Sequence, residues 1–83
     1  MKIMIVDDSA LLRGIIKQIL LEHSTVEAVI EATNGKIAIE KNMSETPDLI
    51  IMDINMPVMD GISATREIMQ QRPVPVMIFS SKV

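Results

Sequence analysis

The chain of 83 residues contains no cysteine, no tryptophan and no tyrosine, and its single aromatic residue is Phe79. Without cysteine there are no disulfides and no thiolate metal sites. One ring cannot make the stacking platform on which single-stranded nucleic acid lies. Positive charge is also scarce: 8 basic residues stand against 11 acidic ones, scattered without blocks, for a net charge of −3. A nucleic-acid surface would show the reverse, a basic stripe. No apolar run approaches the ~20 residues of a membrane span. The N-terminus carries no signal-peptide pattern, so a cytoplasmic protein with neither nucleic acid nor membrane as partner is expected.

What is present is apolar. Hydrophobic residues make up 48% of the chain, with a mean hydropathy of +0.33. A chain of this length makes one domain at most and buries roughly 60–65% of its unfolded surface. It has more apolar side chain than a small two-layer domain readily hides, so something else is expected to cover part of it. Eight methionines suit irregular core gaps and adaptable surfaces.

Apolar runs alternate with helical patterns along the chain. Residues 3–6 (IMIV) form a short β-type run ended by Asp7 and Asp8. Ser9 supplies an N-cap, and Leu11, Leu12, Ile15, Ile16, Ile19 and Leu20 repeat as one helical stripe over residues 9–22. Gly14 inside that helix costs about 1 kcal/mol relative to alanine. Residues 26–32 read as a strand near an edge. Asn34-Gly35 breaks the chain before a second helix over 35–44, with Ile37, Ala38 and Met43 as a weaker stripe. Pro47 precedes a third strand over 48–53, and Asp60-Gly61 starts a third helix with Ile62, Ile68 and Met69 inward. Pro73 closes that helix before a last apolar run over 75–79.

Strands alternating with helices of this length predict right-handed βαβ units around a parallel sheet. The continuously apolar first and third runs suit strands covered on both faces. In such sheets the functional crevice lies beyond the carboxyl ends of the strands, where their order reverses. Residues following the first, third and fourth strands are therefore expected to meet: Asp7 and Asp8, Asp53 and Asn55, Ser80 and Ser81.

Taken singly, each acid has an ordinary explanation. Asp7 and Asp8 precede a helix whose dipole favours negative charge, and Asp53 could be a solvated strand end. Jointly they are costly, because two carboxylates about 4 Å apart repel by ~4 kcal/mol at an effective dielectric of 20. A hard divalent cation, Mg²⁺ or Mn²⁺, fits a ligand set made of oxygen alone. The chemistry suited to such a pocket is phosphoryl transfer, with Asp53 the best nucleophile and Ser80 able to hydrogen-bond a phosphoryl oxygen. Asp60 reads as a helix cap, His23, Lys36 and Lys82 as solvated surface, and Ser81 as structural.

The stretches "IMIVDDSALLR", "LIIMDINMPVMDG" and "PVPVMIFSS" resemble the CheY-like receiver domain of two-component response regulators. The crevice rule was itself drawn in part from CheY, so fold and resemblance are one line of support. The resemblance implies a flavodoxin-like α/β fold of strand order 2-1-3-4 with helices on both faces. It implies Asp53 as phosphoacceptor from a histidine kinase, and Ser80 as the switch hydroxyl. It also implies Mg²⁺ held by Asp7, Asp8, Asp53 and the backbone carbonyl of Asn55. "DDSALLR" and "RPVPVMIFSS" are most similar to chemotaxis regulators, particularly the receiver attached to the glutamate methylesterase.

The family domain continues with a further helix, a fifth strand ending in lysine and a last helix. Residues 1–83 are therefore expected to be a C-terminally incomplete receiver domain, without that lysine, which Lys82 cannot replace. Strand four is expected to be an open edge, inviting self-association. Three rival functions compete with this one. An aspartyl-phosphate phosphatase of the haloacid-dehalogenase type would use the Asp53-x-Asn55 spacing, but wants an Asp-x-Asp immediately after its first strand and a longer chain, whereas here the acid pair precedes Asp53 by a full βαβαβ stretch. A nucleotide binder would need a glycine-rich loop after strand one. A non-phosphorylatable interaction fragment follows if the lysine is indispensable. Methylesterase catalysis is excluded within these residues, since no G-x-S-x-G elbow exists, and the chain is expected to be a signalling domain, not an enzyme.

Overall fold

The computed structural model describes residues 1–80, so the calls on Ser81 and Lys82 lie outside the described residues. Four strands and three helices alternate: β1 (Lys2–Val6), α1 (Ala10–Leu21), β2 (Ala28–Ala32), α2 (Gly35–Glu45), β3 (Leu49–Asp53), α3 (Gly61–Gln71) and β4 (Val76–Phe79). The sheet is parallel with order β2-β1-β3-β4, the order that the resemblance to receiver domains implies. No helix among the described residues is long and apolar enough to cross a membrane.

The register sorts side chains between the two faces, because paired residues of parallel strands point the same way. Met4, Val6, Ile30, Ala32, Ile50 and Met52 share one face, and with Ala38 of α2 and Ala64 and Ile68 of α3 they form the core. Burying a residue such as Ile50 or Ile68 completely stabilises the fold by about 1.5–3 kcal/mol. Met52 and Met56 join this cluster, and Met59 packs partly buried against it. On the opposite face α1 packs over β1 and β2, covering Ile3 and Ile5, which are 3% and 0% exposed.

Three expectations about burial are corrected. In α3 the inward residues are Gly61, Ala64 and Ile68, while Ile62 and Met69 face water. The reason is close approach: a Cβ on Gly35 of α2 would stand 2.8 Å from the Cβ of Ala64 and 2.9 Å from the Met59 carbonyl oxygen. Helices this near admit only small side chains. In α2 Met43 is exposed and Asn42 is buried instead, bonded to Arg72. In α1 only half of the wide stripe meets the sheet. Leu12, Ile16 and Leu20 are partly buried, whereas Leu11, Ile15 and Ile19 are exposed. Beyond α1 on that face lies the pair Ile51 and Met77, with Met77 57% exposed. The surplus of apolar side chain is thus largest on α1, with further exposed residues on α3 and β4.

Candidate functional site

Each acid stands at or just past the carboxyl end of a strand. β1 ends at Val6, but the ladder grips one residue further, the Asp7 N–H donating to the Ala32 carbonyl at 3.2 Å. The chain then turns, and Asp7 Oδ1 accepts the Ser9 N–H at 2.8 Å. Ser9 caps α1, its Oγ accepting the Leu12 N–H at 3.1 Å, as serine commonly does at this position. β3 ends on Asp53, which repeats the turn: the Asn55 N–H donates to Asp53 Oδ1 at 3.0 Å. Short Asp-x-x turns of this kind let a carboxylate stay inside while the backbone leaves the sheet.

The result is one acidic cluster. Ligand oxygens of Asp7, Asp8 and Asp53 lie within 4.8 Å of one another. Asp7 and Asp53 have no accessible surface, and Asp8 is exposed. Like charges at that spacing repel by about 3–4 kcal/mol at an effective dielectric of 20. Burial pushes the Asp7 carboxyl above its ordinary value; the Ser9 N–H pulls the other way, and the neighbouring Asp53 charge adds to the rise. Asp7 Oδ2 is buried with no hydrogen-bond donor among the described residues. A buried oxygen without a donor, beside two further carboxylates, fits a hard divalent cation. Asp7, Asp8 and Asp53 could hold one.

The remaining expected residues lie at the same edge. Ile54 N–H donates to the Phe79 carbonyl at 3.0 Å, binding the end of β3 to the end of β4. One residue further, Asn55 Nδ2 donates to Ser80 Oγ at 2.6 Å. Strand ends one, three and four therefore meet as the topology requires. For Asn55 the structure shows the N–H and the side-chain amide engaged, a side-chain role that sequence reasoning did not foresee. Asp60 caps α3 as expected, accepting from the Ser63 N–H and hydroxyl, each at 2.9 Å.

Two further residues were missed. Gly61 packs under the end of β3, where a Cβ would run into the Asp53 carbonyl oxygen and stand 2.8 Å from Ile54 Cα. Arg13 reaches back from α1, Nη1 donating to the Asp7 carbonyl at 2.7 Å and Nε to Glu31 Oε1 at 3.1 Å. The signals were present in "DDSALLR", where Arg13 follows Ser9 by one helical turn, and in the lone charge of "AVIEA". Neither could be paired without the register.

Known proteins share this architecture. The model of the response regulator receiver domain matches residues 3–83. The protein-glutamate methylesterase/protein-glutamine glutaminase 1 of Vibrio cholerae is 51% identical over 80 residues, 96% of this chain and 21% of that protein. Its counterpart in Alkalilimnicola ehrlichii is 53% identical over 78 residues, covering 94% and 20%. The chain thus spans about a fifth of the length of these relatives. Among solved structures, the response regulator domain of Thermotoga maritima CheB superimposes with a TM-score of 0.93 at 38% identity, over 98% of this chain and 60% of that one. Response regulator protein TrrA of the same organism, solved in complex with Mg(2+)-BeF, gives 0.89 at 29% identity, over 98% and 70%. A strand order, an acid cluster and half-identical relatives converge on one conclusion: the chain belongs to the response regulator receiver domain family.

Proposed function

We propose that residues 1–83 are the phosphoacceptor part of a chemotaxis response regulator, taking a phosphoryl group from a histidine kinase onto Asp53. The observation that carries this reading is the burial of Asp53 within 4.8 Å of the Asp7 and Asp8 carboxylates. An Asp53 carboxylate oxygen attacks phosphorus, the bond from phosphorus to the donor nitrogen breaks, and the nitrogen leaves with the electron pair. The Asp53 side chain becomes an acyl phosphate. Asp7, Asp8, Asp53 and the Asn55 backbone carbonyl would hold Mg²⁺ or Mn²⁺, which supplies charge neutralisation for the incoming phosphoryl oxygens. Ser80 acts as the switch hydroxyl: it leaves Asn55 Nδ2 and donates to a phosphoryl oxygen. The parent protein of this receiver is a chemotaxis methylesterase, on the strength of the relatives' names, and the Mg(2+)-BeF complex of TrrA supports the cation.

The test is incubation with acetyl phosphate and MgCl₂, read by intact mass. One phosphoryl group is expected on the native chain and none on Asp53→Ala. Modification that persists in Asp53→Ala overturns the assignment, and sustained hydrolysis of a generic phosphomonoester points to a phosphatase instead.

A second copy of the chain is a further partner. β4 is the terminal strand of the described sheet, and Met77 and Ile78, on opposite faces, are 57% and 47% exposed. Unpaired edges of this kind recruit another strand. Sedimentation velocity should show dimer at high concentration; a clean monomer refutes the pairing.

A further inference from the structure

We infer that Arg13 is a positioning residue for the acidic site: it clamps the peptide of Asp7 so that the carboxylate is held in place for a divalent cation. This rests on the cation site proposed above. The peptide of Asp7 is gripped from both sides. Its N–H donates to the Ala32 carbonyl of β2 at 3.2 Å, and its carbonyl accepts Arg13 Nη1 at 2.7 Å. The carboxylate is fixed in turn by the Ser9 N–H at 2.8 Å. With peptide and Oδ1 both held, Oδ2 is left without a donor among the described residues. An oxygen so placed is constrained rather than free to rotate away.

Arg13 is itself constrained. Its side chain is 11% exposed, its Nε donates to Glu31 at 3.1 Å, and Lys17 Nζ lies 3.6 Å from the other Glu31 oxygen. Guanidinium donors share one rigid plane. Anchoring Nε on Glu31 of β2 therefore fixes where Nη1 meets the Asp7 carbonyl. The clamp ties together three separate elements, β2, α1 and the turn after β1. Groups that orient a ligand without touching the metal typically change its affinity 10–100-fold when removed.

A charge role and a positioning role predict different substitutions. If Arg13 acted only by offsetting the carboxylate charges, lysine would replace it. Lysine carries the charge as a mobile point and cannot hold Glu31 and the Asp7 carbonyl in one plane.

The experiment is MgCl₂ titration by isothermal calorimetry on the native chain, Arg13→Ala, Arg13→Lys and Glu31→Gln, with thermal melts of each and acetyl phosphate rates at several Mg²⁺ concentrations. The expected result is a roughly 10-fold weaker Mg²⁺ affinity in Arg13→Ala, little restored in Arg13→Lys and smaller in Glu31→Gln. Phosphorylation rates should return to the native value once Mg²⁺ is saturating. Unchanged affinity in variants that melt like the native chain overturns the inference, as does full restoration by lysine or a rate that saturating Mg²⁺ does not recover. Should Arg13→Ala fail to fold, Arg13→Lys and Glu31→Gln decide by the same affinities. If the native chain itself does not bind Mg²⁺, it is the cation site that falls, a different outcome from native binding with unaffected variants.

Discussion

The α-carbon of Gly61 lies so close beneath the Asp53 carbonyl that no side chain fits between them. The obstacles a Cβ would meet are backbone atoms of Asp53 and Ile54, which cannot swing aside as a flexible side chain would. Gly61→Ala should therefore move α3 or the end of β3. Overpacking of this kind costs about 1–3 kcal/mol, and a misplacement of ~1 Å at a reacting group can cost 10²-fold in rate. Acetyl phosphate labelling of Asp53 should slow by about that factor, while labelling at the native rate would show that the strand end had not moved.

The Asp7 carboxyl titrates above its ordinary value of 3.8 in the folded chain, so the folded state binds more protons than the unfolded state in the interval above 3.8. Stability then falls as pH rises through that interval. Asp60 runs the opposite way: its carboxyl is held low by the Ser63 N–H and then the Ser63 hydroxyl, so its contribution is present above the unfolded value and lost as pH falls through the folded one. Asp60→Asn removes the opposing arm and leaves Asp7 with the Asp53 charge beside it. Melts of that variant without metal should give a midpoint that falls as pH rises from 3.8. Mg²⁺ at about 100 times its Kd should add ~2.7 kcal/mol at neutral pH. It should add less in acid, where protons compete for the same oxygens. Equal stabilisation at both pH values would contradict the reading.

The division between what was legible and what was not follows from range. Asn34-Gly35, Pro47, Asp60-Gly61 and Pro73 punctuate the chain locally, so all seven elements could be placed, and from their alternation the sheet and the convergence of Asp7, Asp8 and Asp53. Of the inward face of α3 only Ile68 could be read, because hydropathy ranks Ile62 and Met69 above Ala64, whereas the contact with Gly35 rewards smallness. The bonds from Arg13 to Asp7 and Glu31, and from Asn55 to Ser80, cross between elements. Such pairings depend on register, which no local pattern states.

Asn42 and Arg72 form a buried polar link, also outside local pattern. Asn42 Nδ2 donates to the Arg72 carbonyl at 3.0 Å, and Arg72 Nη1 donates to Asn42 Oδ1 at 2.9 Å and to the Pro47 carbonyl at 3.0 Å. Asn42→Ala takes the Asn42 donor from the Arg72 carbonyl and leaves Arg72 Nη1 with Pro47 alone, with an expected loss of about 1–3 kcal/mol. Urea unfolding measures it, and a double-mutant cycle with Arg72→Ala should give a coupling of ~0.5–3 kcal/mol. Additive effects would mean the two side chains act independently.

Gly14 sits inside α1, and a Cβ there would meet nothing within 4 Å. Gly14→Ala should therefore stabilise the chain by about 0.5–1 kcal/mol, through the lower entropy of the unfolded state. A denaturation midpoint that stays put or falls would show that α1 is strained at this point.

Methionines lie along the end of β3 and the loop that follows Asp53: Met52 and Met56 are buried and Met59 is partly so. In a chain without tryptophan or tyrosine, conventional optical reporters are missing, yet these three thioether methyls belong to residues within six positions of Asp53 in the chain. Isotope labelling of methionine methyls alone would therefore give spectroscopic probes close to the acidic edge. A fourth, on Met77, would watch the outermost strand at the same time.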